Sequence, residues 1–231
     1  MNPNLKDFPF VQNAAIEQYE KAADGDVKQY PSLELVRIEK KFFEKKNGKL
    51  LEYAFGSGCN TIHLLKCGYE IKGIDVSSNW VKKTKERIKK IDHIKNQPNL
   101  LLLDPAKSEL PFENSSFDYI VAMSVLSLLG SEKKIKNLLK EFQRILKPSG
   151  KIIIDINDQQ SEFSENKKEI EKNVFLASPV DKDISCFCLE NEKEFKTLIE
   201  PFFSIKDLGF SSHKVFGRTI TEFIICAEKN Q

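Results

Sequence analysis

An open α/β sheet, mostly parallel and covered by helices on both faces, is the architecture predicted for this chain of 231 residues. Three observations carry that expectation. Strand-like apolar runs alternate with helical patterns between residues 49 and 156. Runs such as LLL at 101–103 and III at 152–154 are continuously apolar, as strands buried on both faces are. The last two strand-like runs, FFSIKDLGF and TITEFIICAEK, are joined by the short stretch SSHKVFGR. Such a connection permits only antiparallel pairing, because a parallel crossover needs roughly a dozen residues or more.

The elements follow in order. A strand over 49–54 leads through a glycine turn to a helix from about residue 60. A strand over 70–75 precedes a lysine-rich helix running to about residue 95, in which Val81, Thr84, Ile88 and Ile91 form an apolar stripe. Strands over 99–104 and 117–123 come next. Ile135, Leu138, Leu139, Phe142, Ile145 and Leu146 then fall on one helical face. Pro148 and Gly150 in LKPSG stop that helix and turn the chain into a strand over 151–156. EKEFKTLIE is helical, and about thirty residues, 158–190, make a connection longer than the ordinary loop. The division predicted is one domain over 1–231: a helical cap over 1–46, a ligand-binding core over 47–157, a lid or substrate wall over 158–190, and a terminal helix and hairpin over 191–231.

Composition narrows the function. The 36 basic and 34 acidic residues leave a net charge of +2, which does not point to nucleic acid or an anionic membrane. Only four basic residues are Arg, the type preferred for bidentate phosphate recognition. The longest apolar run, 119–129, is far shorter than the roughly 20 residues of a membrane span. The start MNPNLKDFPF lacks the basic and apolar regions of a secretory signal. Five scattered cysteines suit reduced thiols in the cytoplasm. Cys186 and Cys188 have no second pair, and His63, His93 and His213 stand apart in sequence, so no metal site is expected. Oligomeric state is not encoded legibly.

Ligands of open α/β sheets bind beyond the carboxyl ends of the strands, where strand order reverses. The turn AFGSGCNT sits there, with Gly56 and Gly58 allowing close backbone approach. Glu52 ends the first strand and Asp75 the second, where an acid can accept from two ribose hydroxyls. A dinucleotide fingerprint requires G-x-G-x-x-G, and Cys59 and Thr61 stand where a further glycine would serve. An acid before the loop repels a pyrophosphate and suits a cationic ligand with an amino group. This combination favours S-adenosylmethionine over a nicotinamide dinucleotide.

Three ordered blocks, LEYAFGSGCNTIHLLKCGYEIKGIDVS, LLLDPAKSELPFENSSFDYIVAMSVLSLLG and LLKEFQRILKPSGKIIIDI, resemble the class I S-adenosylmethionine-dependent methyltransferases, in particular their small-molecule branch. The resemblance covers roughly 30–157 together with the two terminal strands. It implies a Rossmann-like three-layer sandwich, its seven strands in the order 3-2-1-4-5-7-6 with the last antiparallel. It also implies roles. Glu52 would meet the methionine amino group through the loop or a water, and Gly56 and Gly58 would line the methionine moiety. Asp75 would hold the ribose; Val76 or Trp80 would cover the adenine. Asp104, with Ala106 beside it, would accept from the adenine amino group. Met123 and Ser124 would lie near the sulfonium.

Departures from the family pattern are specific. Ala54 replaces the first loop glycine, and Phe55 a usually small residue. Ser127 stands near the place where many relatives carry a histidine, so a base at that point is not available. The remaining candidates for a base are Asp155, Asp158, His213, Tyr19 and Tyr30, with Tyr19 or Tyr30 placed near the transferred methyl. Methyl transfer needs alignment above all, so a dedicated base is optional. The expected activity is methylation of a small-molecule acceptor. The alternatives are a methyltransferase-fold binding protein with impaired chemistry, motivated by Ala54, Phe55 and Ser127, and a nicotinamide-dependent oxidoreductase.

Overall fold

The computed structural model describes residues 13–25, 27–92, 94, 96–104, 107, 109–178, 183–215 and 217–230. Two helices, α1 (Asn13–Ala22) and α2 (Leu33–Phe42), precede the sheet. The core then alternates: β1 (Lys49–Tyr53), α3 (Cys59–Lys66), β2 (Glu70–Asp75), α4 (Ser78–Lys89), β3 (Asn99–Leu102), β4 (Phe117–Ala122), α5 (Glu132–Ile145) and β5 (Leu146–Asn157). Beyond it lie a small antiparallel group β6 (Lys168–Glu171), β7 (Val174–Ala177) and β8 (Ile184–Phe187), then α6 (Glu192–Ile199), β9 (Phe203–Val215) and β10 (Arg218–Lys229). Sheet order is β3-β2-β1-β4-β5-β10-β9, which is the expected 3-2-1-4-5-7-6. β10 runs antiparallel to both of its neighbours, and the other pairs of the core are parallel.

Apolar burial explains the layering. Leu51, Ile120, Ile152 and Ile154 face α5 and α6, packing on Leu138, Leu139, Phe142 and Phe195. Leu50, Val121, Ile153 and Ile224 face the other way, onto Leu35, Ile62, Leu64 and Ile88 of α2, α3 and α4. Burial on both faces accounts for the unbroken apolar runs read in the sequence.

Four details differ from expectation. α4 ends at Lys89, short of residue 95. Ile91 continues its apolar stripe and still packs on the core, but from outside the helix, which is why periodicity overran the end. β3 ends at Leu102, although the Leu103 N–H still bonds the Asp75 carbonyl. LKPSG is no free turn: α5 passes directly into β5, and Lys147–Gly150 bulge out of register with β4, with Ser149 in the left-handed region. SSHKVFGR is mostly strand, because Ser211 to Val215 extend β9 against β10 and Gly217 (φ +79°) makes the tight turn.

The 158–190 excursion folds back on itself. Asn157 and Leu189 close its neck through the Leu189 N–H to Asn157 carbonyl bond. Phe175, Ile184, Cys186 and Cys188 form a small core that packs on Tyr19 of α1 and Leu128 after β4.

Candidate functional site

β1 and β4 are neighbours while their chain continuations cross to opposite faces, so a crevice opens beyond their carboxyl ends. A cavity of about 560 Å³ lies there. The β1–α3 turn forms its floor, and the turn's backbone alternates: Ala54 (φ +59°), Gly56 (φ +49°) and Gly58 (φ +75°) are left-handed, with ordinary residues between. The N–H groups of these three residues are spent within the protein, on the Ile74 carbonyl, the Asp75 carboxylate and the Phe55 carbonyl. A Cβ at Gly58 would strike the Thr84 side chain, whereas one at Gly56 would meet nothing within 4 Å. Thr84 Oγ1 in turn donates to the Gly56 carbonyl at 2.8 Å, tying the turn to α4.

Asp75 stands beside the turn. Its Oδ2 accepts the Gly56 N–H at 2.8 Å and its Oδ1 the Ser77 N–H at 2.9 Å. Burial pushes its pKa up to about 6, with the Glu20 charge adding to the effect and the two N–H donors opposing it. Val76 and Trp80 line the same wall, Trp80 being also buried in the protein. Opposite lie Met123 and Ser124 at the end of β4. Ser124 is left-handed (φ +57°), and its N–H donates to Asp155 Oδ1 at 2.6 Å.

The cavity thus gathers Ala54, Phe55, Gly56, Asp75, Val76, Trp80, Met123 and Ser124, together with Tyr30 at its mouth. Other expected residues stand back from it. Glu52 does not line the cavity; it is buried behind the turn and accepts from Thr61 Oγ1 at 2.5 Å. Burial drives its pKa up to about 8; the Thr61 hydroxyl opposes the shift and the Asp75 charge reinforces it. Gly58 shapes the turn from behind. Asp104 is exposed, and its neighbour Leu103 lines the cavity instead. Ala106 lies outside the described residues.

Among the candidate bases, Tyr30 is 84% exposed. Asp155 is buried behind Ser124, and its Oδ2 has no hydrogen-bond partner. Burial and then the nearby Glu222 charge raise its pKa well above the usual carboxylate range. His213 lies on β9 beside Ser211 and meets Glu34 of α2, and it does not line the cavity. Ser127, near the family's histidine position, is buried and accepts the Asn157 N–H at 2.9 Å.

Sequence reading expected a helical cap over 1–46 but missed the bonds that hold it against the cavity. Glu20 of α1 accepts N–H bonds from Ser78 at 2.6 Å and Asn79 at 3.0 Å, capping α4 from a distance of fifty-odd residues. Those donors outweigh burial and hold its pKa below normal. Arg87 donates to the Lys28 and Ser57 carbonyls at 2.8 and 3.0 Å, and Cys59 Sγ to the Lys28 carbonyl at 2.6 Å. Lys28, Tyr30, Pro31 and Ser32 are thereby held against the cavity as its wall. VKKTKERIKK reads as a solvated helix face, and its arginine gave no local signal of this role.

Comparison with known proteins bears on the family and the fold. Residues 51–154 match the family described as methyltransferase domain. A demethylmenaquinone methyltransferase of Staphylococcus aureus is 32% identical over 120 residues, 51% of this chain and 46% of that protein. The chain spans about half the length of the curated relatives it matches. The crystal structure of a SAM-dependent methyltransferase from Methanosarcina mazei superposes with a TM-score of 0.70 at 22% identity, over 82% of this chain and 96% of that one. Magnesium protoporphyrin IX methyltransferase from Synechocystis, solved with SAM bound, gives 0.62 at 13% identity, over 93% and 81%. Residues 51–154 therefore match a methyltransferase domain, within a chain whose described residues have the fold of the SAM-dependent methyltransferases.

Proposed function

We propose that the chain is an S-adenosylmethionine-dependent methyltransferase acting on a small-molecule acceptor. The observation that carries this reading is Asp75, fixed by the Gly56 and Ser77 N–H groups at the rim of a cavity floored by a left-handed turn. Each carboxylate oxygen keeps a lone pair for a ribose hydroxyl. The donor set fits the cofactor: Asp75 suits its ribose, and Trp80 with Val76 its adenine. Glu52, one layer behind, suits its amino group only through the turn or a bridging water. When bound, the cofactor supplies a methyl group already activated by a sulfonium.

The chain's own part is alignment and dryness. Met123 and Ser124 border the end of β4, where the resemblance sets the reacting methyl, and the strap over Lys28–Ser32 with the insert packed behind Tyr19 and Leu128 walls that end from water. Orientation of this kind lowers a barrier by several kcal/mol. Asp155 acts here on Ser124, holding its strained backbone, and no base is assigned. The insert over 158–190 serves as the acceptor's wall. Among the described residues no helix is long and apolar enough to cross a membrane. The five free cysteines suit a reducing cytoplasm.

Thermal melts with S-adenosylmethionine, S-adenosylhomocysteine and NAD test the reading. The adenosyl compounds at a hundred times Kd should raise Tm by about 5–10 °C, the rise should vanish in Asp75→Ala, and NAD should do nothing. An unchanged Tm with both adenosyl compounds overturns it.

A further inference from the structure

We propose that Glu39, His63 and Cys67 form a binding site for a zinc-type divalent cation that clips α2 to α3. The site lies apart from the cavity, and its three ligand atoms come within 4.8 Å of one another. His63 Nε2 is 3.6 Å from Cys67 Sγ and 4.0 Å from Glu39 Oε2. A tetrahedral ion with bonds of about 2.0 Å to nitrogen and oxygen and about 2.3 Å to sulfur sets such atoms roughly 3.3–3.6 Å apart. Side-chain movement of about an ångström closes the set from its 4.8 Å span, and water supplies the fourth ligand.

Placement follows from the helices. His63 and Cys67 are four residues apart at the end of α3, so they share one face, and Cys67 is fixed there by its N–H bond to the His63 carbonyl at 3.0 Å. Glu39 reaches the same point from α2. Its Oε1 is held by Lys46 Nζ at 2.5 Å and by the hydroxyl of buried Tyr69 at 2.6 Å, which orients Oε2 toward His63. Support of that kind behind a ligand is what tunes metal sites. Lys46 opposes the ion by charge, but it is half-exposed and the carboxylate and thiolate outnumber it. Nitrogen, sulfur and oxygen together select zinc, or cobalt as its probe, over the oxygen-seeking magnesium and calcium. Cys67 binds as thiolate and yields its proton to solvent. Sequence order hid the set, since Cys59, His63 and Cys67 recur every four residues along α3 while Glu39 comes from α2.

The clip bears on the cavity wall. Seven residues before Glu39 and before Cys67, the Ser32 N–H donates to Asn60 Oδ1 at 3.0 Å, and both residues line the cavity. α2 and α3 therefore run side by side, pinned at the cavity by this bond and at the far end by the ion.

Chelator-treated full-length protein titrated with Co(II) is the test. The expected result is one equivalent bound, with a thiolate-to-cobalt charge-transfer band and the intense visible bands of tetrahedral cobalt, both abolished by Zn(II). Cys67→Ser should remove the charge-transfer band, and His63→Gln should weaken binding by about tenfold or more. Both side chains are partly exposed, so folding is retained and circular dichroism checks it. Zn(II) in hundredfold excess over Kd should raise Tm by about 5–10 °C. A weak octahedral spectrum in the wild-type protein, or a charge-transfer band that survives in Cys67→Ser, overturns the proposal. Neither readout depends on methyl transfer.

Discussion

Glu52→Gln tests whether the acid beneath the glycine turn is neutral in the free protein. The carboxyl is buried, has one hydroxyl donor in Thr61, and has its pKa raised by burial from 4.5 to about 8. The sign follows from linkage. A raised folded-state value means the folded chain holds the proton more tightly than the unfolded one. Its stabilising contribution is complete below pH 4.5 and is lost as pH rises through about 8. Between pH 5 and pH 8 the loss runs at close to 1.4 kcal/mol per unit and totals about 3 kcal/mol. Glutamine keeps an acceptor for Thr61 and never ionises. Its added NH₂ group introduces a cost of about 1–3 kcal/mol that does not vary with pH. The measurement is therefore the difference between the two proteins in urea unfolding at pH 5, 6, 7 and 8. The variant should gain on the wild type by about 3 kcal/mol across the series, roughly 1–1.5 M in urea midpoint. Asp155 and Glu222 titrate in both proteins and cancel in the difference. A difference constant to within about 0.5 kcal/mol would refute the buried neutral acid.

Three further outcomes follow from the same geometry. Gly58→Ala should lower stability by about 2–4 kcal/mol in urea unfolding, combining the left-handed cost with a collision against Thr84; Gly56→Ala, with open space at its Cβ, should cost only about 1–2 kcal/mol while raising the Kd for S-adenosylhomocysteine in calorimetry. Arg87→Ala removes the donors to Lys28 and Ser57 and should weaken S-adenosylhomocysteine binding by about tenfold, with a stability loss of about 1–3 kcal/mol on melting. Binding of S-adenosylmethionine places positive charge near Glu52 and should release part of a proton at pH 7, seen as a buffer-dependent enthalpy that Glu52→Gln abolishes.

What was legible in the sequence was local. Strand, glycine turn and acid follow one another within 49–75, so the turn and Asp75 could be placed by counting. Glu52 could not. Tyr53, one position on, lines the cavity, while Glu52 turns behind the loop to Thr61. Alternation along β1 decides between the two faces, and a strand buried on both faces gives no polar pattern from which to read that alternation. Glu20 and Arg87 escaped for another reason. Their partners are Ser78, Asn79, Lys28 and Ser57, all distant in sequence, and a charged residue on a charged helix carries no mark of the backbone it will meet. Glu39 is likewise joined to His63 and Cys67 only by the packing of α2 on α3.

The departures at Ala54 and Phe55 raised the reading of a fold that has lost its chemistry, and the structure supplies an argument against drift. The Phe55 ring lies where a Cβ on Gly73 would collide with it, so the bulk gained in the turn is accommodated by its absence from β2. Ala54 keeps the left-handed backbone, and its N–H bonds the Ile74 carbonyl at 2.8 Å. Ser124 is left-handed as well, held there by Asp155, which leaves an oxygen buried without a partner. Left-handed residues other than glycine cost about 1–3 kcal/mol each, and a buried carboxyl raised from its normal pKa costs more as pH rises. Glu52, Asp75, Ala54 and Ser124 all carry such costs at or immediately behind one cavity. A chain released from ligand binding would shed these features first, since replacing them stabilises the fold. Ala54 and Ser124 are two of the six left-handed non-glycine residues among those described, and with Glu52 and Asp75 they fit the proposed reading of a ligand-shaped site.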